Sequence, residues 1–411
     1  MRETPGAEEF ARELAAGAEP WFWLDGAAAP SGEQGVSLLG RASEIVLAEP
    51  GREQEFLELL RSRAPRDPRR SRTSRSSHPF RSGWVVALGY EFGVRLLGLD
   101  TKPDDVPPAF ALRVDEVRAI HHGLRGASDP ASDGRPVESP WRSSPESYMR
   151  QVEECREAIH RGDAYVLCLT DTAELDTEIA PLALYERLRA GGIATRGAVI
   201  STGDRALVSA SPERFLTVRG RRVSTHPIKG TRRRGATAEE DAELAAELAA
   251  DPKERAENLM IVDLMRNDLS RVCAPESVRV DRFLDVETHP RVHQLVSTVT
   301  GELRDGLDVF DALAACFPGG SMTGAPKRSA VSILGGLEAG PRGLYSGCFG
   351  WIDDSGDAEL AMTIRGAELR GGGPRRRAFV GAGGGITADS DPARELAERD
   401  LKAAAVLAAL R

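Results

Sequence analysis

Two helix starts of the same design constrain this chain more than any other feature. Asp251-Pro252 and Asp391-Pro392 each put an aspartate where an N-cap needs a side-chain acceptor, and a proline at the first helical position, where its missing N–H costs nothing. The helix predicted over 252–268 then carries Glu254 and Glu257. The one predicted over 392–410 carries Glu395 and Glu398, with Lys402 one turn further. Residues three apart share a helix face, so each helix presents two carboxylates in one direction. Acidic pairs of this kind also arise simply because they complement the helix macrodipole. Two pairs facing each other would form a hard, oxygen-lined site of the kind Mg2+ prefers.

The rest of the chain alternates short apolar runs with Gly/Pro turns. Strands are predicted at Trp84–Tyr90, 164–170, 197–202 and 205–210. A helix over Pro145–Arg161 follows from Tyr148, Val152, Cys155 and Ile159 at helical spacing, and others are predicted over 237–250, 310–316 and 325–335. Residues 145–411 read as one continuous α+β unit, the core. Residues 1–123 add strands to it rather than forming a separate module, and a Pro/Ser/Gly-rich stretch, 124–144, links the two. Residues 61–82 hold eight arginines among serines and prolines, which reads as a solvated loop or as a patch for an anionic partner.

With 54 basic against 63 acidic side chains the net charge is −9, which argues against a nucleic-acid partner, because phosphate contacts need a basic surface. No run approaches the roughly 18–20 apolar residues of a membrane helix. The opening residues carry Glu3, Glu8, Glu9 and Glu13 and lack the apolar stretch of a secretion signal, so a cytoplasmic protein with no membrane contact is expected. Cys155, Cys168, Cys273, Cys316 and Cys348 are scattered and read as reduced, buried small hydrophobes.

Two further stretches carry chemistry. Pro227-Ile228-Lys229-Gly230-Thr231 reads as a turn, and Lys229 there is either a solvated surface lysine or an active amine. Arg232, Arg233 and Arg234 directly after it would depress the pKa of the amine and leave more of it free for attack. Upstream, Ser211-Pro212-Glu213-Arg214-Phe215 ends a strand, and a buried Glu213 would have a raised pKa suited to a general acid. Gly381 to Gly385 follow a strand predicted over Arg377–Val380. Gly383 to Ala388 loosely matches a dinucleotide fingerprint, yet the residues after Ala388 read as one helix and leave no strand for the acidic residue such a site needs. These glycines are instead expected to let backbone N–H groups approach an anion.

Taken together the chain resembles the chorismate-utilising enzymes, and within them the branch of aminodeoxychorismate synthase component I, related to the anthranilate synthase large subunit. The resemblance rests on SPERF (211–215), PIKGTRRRG (227–235), DPKERAENLMIVDLMRNDLSRV (251–272) and VHQLVSTVTGEL (292–303). It continues through FPGGSMTGAPK (317–327), YSGCFGW (345–351), MTIRGAEL (362–369) and GAGGGITADSDPARELAERDLKA (381–403). It covers residues 145–411 strongly and extends weakly to WLDG near Trp23 and GWVVALGYE near Trp84.

The resemblance implies two antiparallel β-sheets packed as a sandwich and flanked by helices, with chorismate bound through Mg2+ in a cleft. It implies metal-shell roles for Glu254, Glu257, Glu395 and Glu398, and substrate-carboxylate roles for Tyr345, Arg365, Gly383 and Lys402. Ser321 and His293 match residues lining the ring, and Glu213 matches the acid that helps the carbon-4 hydroxyl leave. Lys229 matches the lysine of aminodeoxychorismate synthases, where anthranilate synthases carry alanine. In the mechanism this implies, Lys229 attacks carbon 2, ammonia then enters at carbon 4, and the lysine departs. Isochorismate-forming relatives carry a water-activating lysine where this chain has Val166, and valine cannot activate water.

The chain also departs from the pattern. Many relatives have Gln and Asn at Val166 and Cys168, and an Asn-Pro-x-Pro-Tyr stretch is here Gly192-Ile193-Ala194-Thr195-Arg196. In anthranilate synthases that stretch joins an N-terminal Leu-Glu-Ser in a tryptophan feedback site, which Leu24-Asp25-Gly26 does not reproduce. Ser346-Gly347-Cys348-Phe349-Gly350 lacks the first glycine of an amidotransferase elbow and no histidine follows it, so ammonia is expected from a separate glutamine amidotransferase subunit. Three functions stand open: a 4-amino-forming synthase, a 2-amino-forming synthase (anthranilate or 2-amino-2-deoxyisochorismate), and a silent chorismate-binding partner.

Overall fold

The computed structural model describes residues 6–28, 35–63, 78, 80–123, 140–192, 194–288 and 292–411. Most of the arginine-rich stretch and of the linker therefore lies outside the described residues. Two antiparallel sheets organise the remainder. The nine-stranded sheet runs Gly324–Ala325, Val166–Thr177, Arg376–Ile386, Gly366–Arg370, Arg205–Ser211, Arg196–Ser201, Trp21–Asp25, Val36–Arg41, Arg118–His121. In the ten-stranded sheet, Val292–Glu302 is flanked by Arg279–Thr288 on one side and by Ile228–Arg233 and Arg222–Thr225 on the other. The order then continues through Arg214–Arg219, Ala358–Met362, Cys348–Asp353, Gly83–Leu88, Ala109–Val114 and Glu44–Leu47. Strands from residues 21–121 thus enter both sheets. This is the α+β, two-sheet architecture expected from the sequence.

Strand alternation builds the layers. Successive side chains point to opposite faces, so Phe22 and Leu24 join the core between the sheets with Val85, Ala87, Phe110 and Leu112. Their neighbours Trp21 and Trp23 pack outward against the helices Ala7–Ala15, Pro181–Gly191 and Pro392–Ala409. On the far side, Trp84, Val86 and Leu88 meet Phe56, Leu60, Ile261, Met265, Phe310 and Leu313 from three further helices. All five cysteines are buried and unpaired within these layers, with Cys348 inside a strand.

Both Asp-Pro helix starts form as the sequence requires. Asp251 accepts from the backbone N–H of Lys253 and Glu254 and opens Pro252–Ser270, while Asp391 accepts from that of Arg394 and opens Pro392–Ala409. Three local expectations change. Tyr90 begins the helix Tyr90–Leu96 instead of ending a strand. Lys229 lies in the strand Ile228–Arg233, not in a turn, because that segment pairs with Val292–Glu302 across a register shift that Gly230 accommodates at φ 88°. Gly381–Gly385 continue the strand Arg376–Ile386 rather than forming a loop after it, pairing with Cys168–Thr172 of Val166–Thr177.

Candidate active site

A cleft of about 560 Å3 opens where the paired strands Val166–Thr177 and Arg376–Ile386 approach Ile228–Arg233 at the edge of the other sheet. The helices Pro252–Ser270 and Pro392–Ala409 complete it. Eleven of the twelve residues singled out from the sequence line it: Glu213, Lys229, Glu254, Glu257, Ser321, Tyr345, Arg365, Gly383, Glu395, Glu398 and Lys402. Residues brought together from positions 213 to 402 form one polar pocket.

The glycines make this wall possible by their missing side chains. A Cβ on Gly381 would stand 2.0 Å from Cγ of Tyr345, and one on Gly384 would stand 2.9 Å from Oε2 of Glu395. The run serves close approach of side chains across a strand, a different use from the anion-binding backbone expected of a loop. Gly381→Ala should therefore destabilise the fold by roughly 1–3 kcal/mol and displace Tyr345. A lowered denaturation midpoint, together with weaker ligand binding in the cleft, is the expected result. Arg365 sits at φ 55° and Ser346, the residue after Tyr345, at φ 62°, left-handed backbone that non-glycine residues adopt at a cost.

Electrostatics distinguish the carboxylates. Burial raises the pKa of Glu213, against the Ser321 hydroxyl and the ammonium groups of Lys229 and Lys402, which pull it down. Glu254 is raised by burial and by the charge of Glu257, and Glu395 is raised chiefly by burial. Burial also pushes Glu398 upward, but Lys402, 2.6 Å away, outweighs it and leaves its pKa lowered. Lys402 Nζ also donates to the carbonyl of Gly383 at 2.8 Å.

The expected facing of the two acidic pairs is only half realised. Both pairs open on the same cleft. Yet among the described residues no three His, Cys, Asp or Glu side chains converge closely enough to hold a metal ion. Basic groups neutralise them instead: Lys229 and Lys253 lie 4.0 and 3.8 Å from Glu257, Arg232 lies 3.5 Å from Glu254, and Lys402 pairs with Glu398. The donor chemistry fits a hard divalent cation, since all four groups are carboxylates on the lining of one pocket.

Two expectations about individual residues are corrected. His293 does not line the cleft. Its Nε2 meets Asp241 Oδ1 at 2.9 Å and its Nδ1 meets Thr288 Oγ1 at 3.0 Å, and the ring is buried. The next residue, Gln294, lines the pocket, as the alternation of a strand demands. The arginines after Lys229 turn to carboxylates of their own: Arg232 pairs with Glu247 and Asp251, Arg233 with Glu240, and Arg234 with Asp241. Their charge is spent on those carboxylates. The charged group beside Lys229 is Glu257.

Sequence reasoning did not assign Gln294, Thr231, Lys253, Met322 or Leu401 to the site, yet all line it. Lys253 carried a usable signal, since it stands four residues before Glu257. Val166 is buried beside the cleft, near the position a side chain on Gly385 would take, and Lys229 Nζ stands 3.7 Å from that same position. The two stretches compared with the tryptophan site meet at a second cavity of about 310 Å3, lined by Leu24, Asp25, Gly26, Thr195 and Arg196 among others. Asp25 is engaged there by Ser37, Tyr185, Arg189 and the backbone N–H of Ala27. No helix among the described residues is long and apolar enough to cross a membrane.

The model of the chorismate binding enzyme family matches residues 28–408. The chain is 38% identical to an aminodeoxychorismate synthase of Streptomyces griseus, over 94% of this chain and 60% of that protein. It is 42% identical to anthranilate synthase component 1 of Haloferax volcanii, over 75% of this chain and 59% of that protein. The chain thus spans about 60% of the length of these curated relatives. Among solved structures, anthranilate synthase component I from Streptococcus pneumoniae TIGR4 superposes with a TM-score of 0.73 at 27% identity, covering 94% of this chain and 90% of that one. The match across nearly the whole chain, with the residues of the motifs gathered in one cleft, places this protein in the chorismate binding enzyme family.

Proposed function

We propose that the chain is component I of an aminodeoxychorismate synthase, which converts chorismate and ammonia to 4-amino-4-deoxychorismate, the precursor of p-aminobenzoate. The observation that carries the reading is the shared cleft of Lys229 and Glu213: an amine and a half-buried carboxyl whose pKa is raised line one pocket. The Lys229 amine, in its neutral form, attacks carbon 2 of chorismate, both conjugated ring double bonds shift by one position, and the carbon-4 hydroxyl leaves as water with a proton from Glu213. Ammonia then bonds to carbon 4, both double bonds shift back, the carbon–nitrogen bond to Lys229 breaks to free its amine, and a proton from the new ammonium restores Glu213. Two allylic displacements replace one direct substitution.

Tyr345, Arg365 and Lys402 would hold the substrate's carboxylates, with Ser321 and Gln294 along the ring, and the carbonyl of Gly383 would steady Lys402 beside them. Glu254, Glu257, Glu395 and Glu398 would hold Mg2+, which supplies positive charge against a substrate carboxylate. For Lys402 to serve the substrate, it must exchange its present partner, Glu398, for the incoming anion. A glutamine amidotransferase subunit would supply the ammonia.

The second reading, a 2-amino-forming synthase, is favoured by the 42% identity to the Haloferax volcanii anthranilate synthase component. Product analysis separates the two. Chorismate, Mg2+ and ammonium, followed by the downstream lyase, should give p-aminobenzoate. Anthranilate alone would remove the first reading, and no turnover would leave a binding protein.

A further inference from the structure

Beneath the cleft lies a charged group that none of the chemistry above uses. Arg342 is 3% exposed, and all five of its N–H donors have acceptors. Nε and Nη2 donate to the two oxygens of Glu338 at 2.9 and 2.6 Å. The second hydrogen of Nη2 goes to the carbonyl of Cys168 at 2.8 Å. Nη1 donates to the carbonyl of Met322 at 2.7 Å and to Oγ of Ser346 at 3.2 Å. The guanidinium lies 4.0 Å from the centre of the Tyr90 ring.

A buried arginine that only needed a counter-ion would be satisfied by Glu338. Here three further acceptors come from three separate chain segments, and each segment forms part of the cleft. Cys168 and Met322 line it themselves, Met322 follows Ser321, and Ser346 follows Tyr345. Glu338 extends the reach by accepting from the backbone N–H and hydroxyl of Thr170 at 3.0 and 2.9 Å. The arginine's own backbone is held in turn, since Glu91 accepts from the N–H groups of Arg342 and Gly343 at 2.7 and 3.0 Å.

We propose that Arg342 is a positioning residue whose guanidinium sets the strand at Cys168, the turn at Ser321-Met322 and the turn at Tyr345-Ser346 at fixed distances from one another, and so sets the width of the substrate pocket. The inference rests on the reading of that pocket as the chorismate site. It requires a planar fork with five donors, which no other side chain supplies. Lysine keeps the charge but brings three donors from a single nitrogen, so if it holds Glu338 it must release at least one of the three cleft segments.

The test compares chorismate binding and turnover in the full chain and in two variants. In Arg342→Lys the KM for chorismate should rise on the order of 10- to 100-fold, because small displacements of binding groups carry losses of that size, while kcat falls less than KM rises. Ser346→Ala cuts a single arm and should raise KM a few-fold, with a small drop in melting temperature because one buried N–H of Arg342 loses its acceptor. A folded Arg342→Lys with a lower melting temperature but the wild-type KM would show a merely stabilising arginine and overturn the proposal. If Arg342→Lys does not fold, Ser346→Ala decides: a raised KM in the folded variant supports the proposal, and wild-type KM overturns it. Chorismate binding by the wild type, measured directly by equilibrium dialysis, is the control. Its absence would remove the reading of the pocket itself, and the proposal with it, before any variant is compared.

Discussion

Lys229→Ala should lose 4-amino-4-deoxychorismate formation by on the order of 1,000-fold or more, the scale expected when a covalent nucleophile is removed. Chorismate binding should survive, because Arg365 and Lys402 still line the pocket and the substitution removes only one of its cations. The chemistry also predicts what replaces the lost product. With the amine gone, carbon 2 is open to ammonia itself, so any residual turnover should carry nitrogen at carbon 2 rather than carbon 4. Product chromatography with mass detection resolves the two isomers, and direct binding of chorismate checks that the pocket is intact. p-Aminobenzoate formed at the wild-type rate would show that the lysine is a bystander. Trapping offers a second readout, since the wild type quenched during turnover should hold a ring-sized mass on the peptide containing Lys229, and the variant should not.

The parts of this site that were legible in the sequence are those set by local chemistry. An aspartate followed by proline specifies a helix start through its own hydrogen bonds, whatever packs around it, and both such helices begin where the sequence places them. Glutamates three apart then share a face by helical geometry alone. What was not legible depends on contacts distant in the chain. The run Gly381–Gly385 has no side-chain pattern of its own, and it is a strand because Cys168–Thr172, more than 200 positions earlier, pairs with it. Ile228–Arg233 contains a glycine and follows a proline, which read as a turn, until pairing with Val292–Glu302 makes it a strand.

His293 and Gln294 show how sharp that limit is. One step along a strand reverses the face, so a motif can be recognised correctly while the residue picked from it points the wrong way. The strand places Gln294 in the pocket and His293 against Asp241 and Thr288. The arginines after Lys229 teach the complementary lesson, because nearness in sequence says nothing of partners: their ion pairs are with Asp241, Glu240, Glu247 and Asp251. Arg342 was beyond sequence reasoning for a further reason: three of its five bonds end on segments of the chain that no periodicity connects, and two of those on main-chain carbonyls.

Glu213→Gln should separate binding from chemistry at the other end of the ring. Glutamine keeps the shape of the side chain and can still meet Ser321, but it has no acidic proton to give to the departing hydroxyl. Removal of a positioned general acid costs about 100- to 10,000-fold in rate, so kcat should fall by that order while the KM for chorismate changes little. The pH dependence supplies an independent check. The donor must be protonated, so the wild-type rate should decline as pH rises through the pKa of Glu213. Burial moves that decline above the ordinary carboxylate pKa of about 4.3, and Lys229 and Lys402, which favour the charged form, limit how far it moves. In Glu213→Gln the decline should vanish from the single-turnover profile, leaving a slow rate flat over that range. A variant that keeps the descending limb would assign it to another group, and one that keeps the wild-type kcat would show that the hydroxyl leaves without help from position 213. The two variants also predict different states of the lysine. Glu213→Gln slows the step that forms the bond to Lys229, so quenched samples should hold less adduct than the wild type, and added ammonium should not restore the rate.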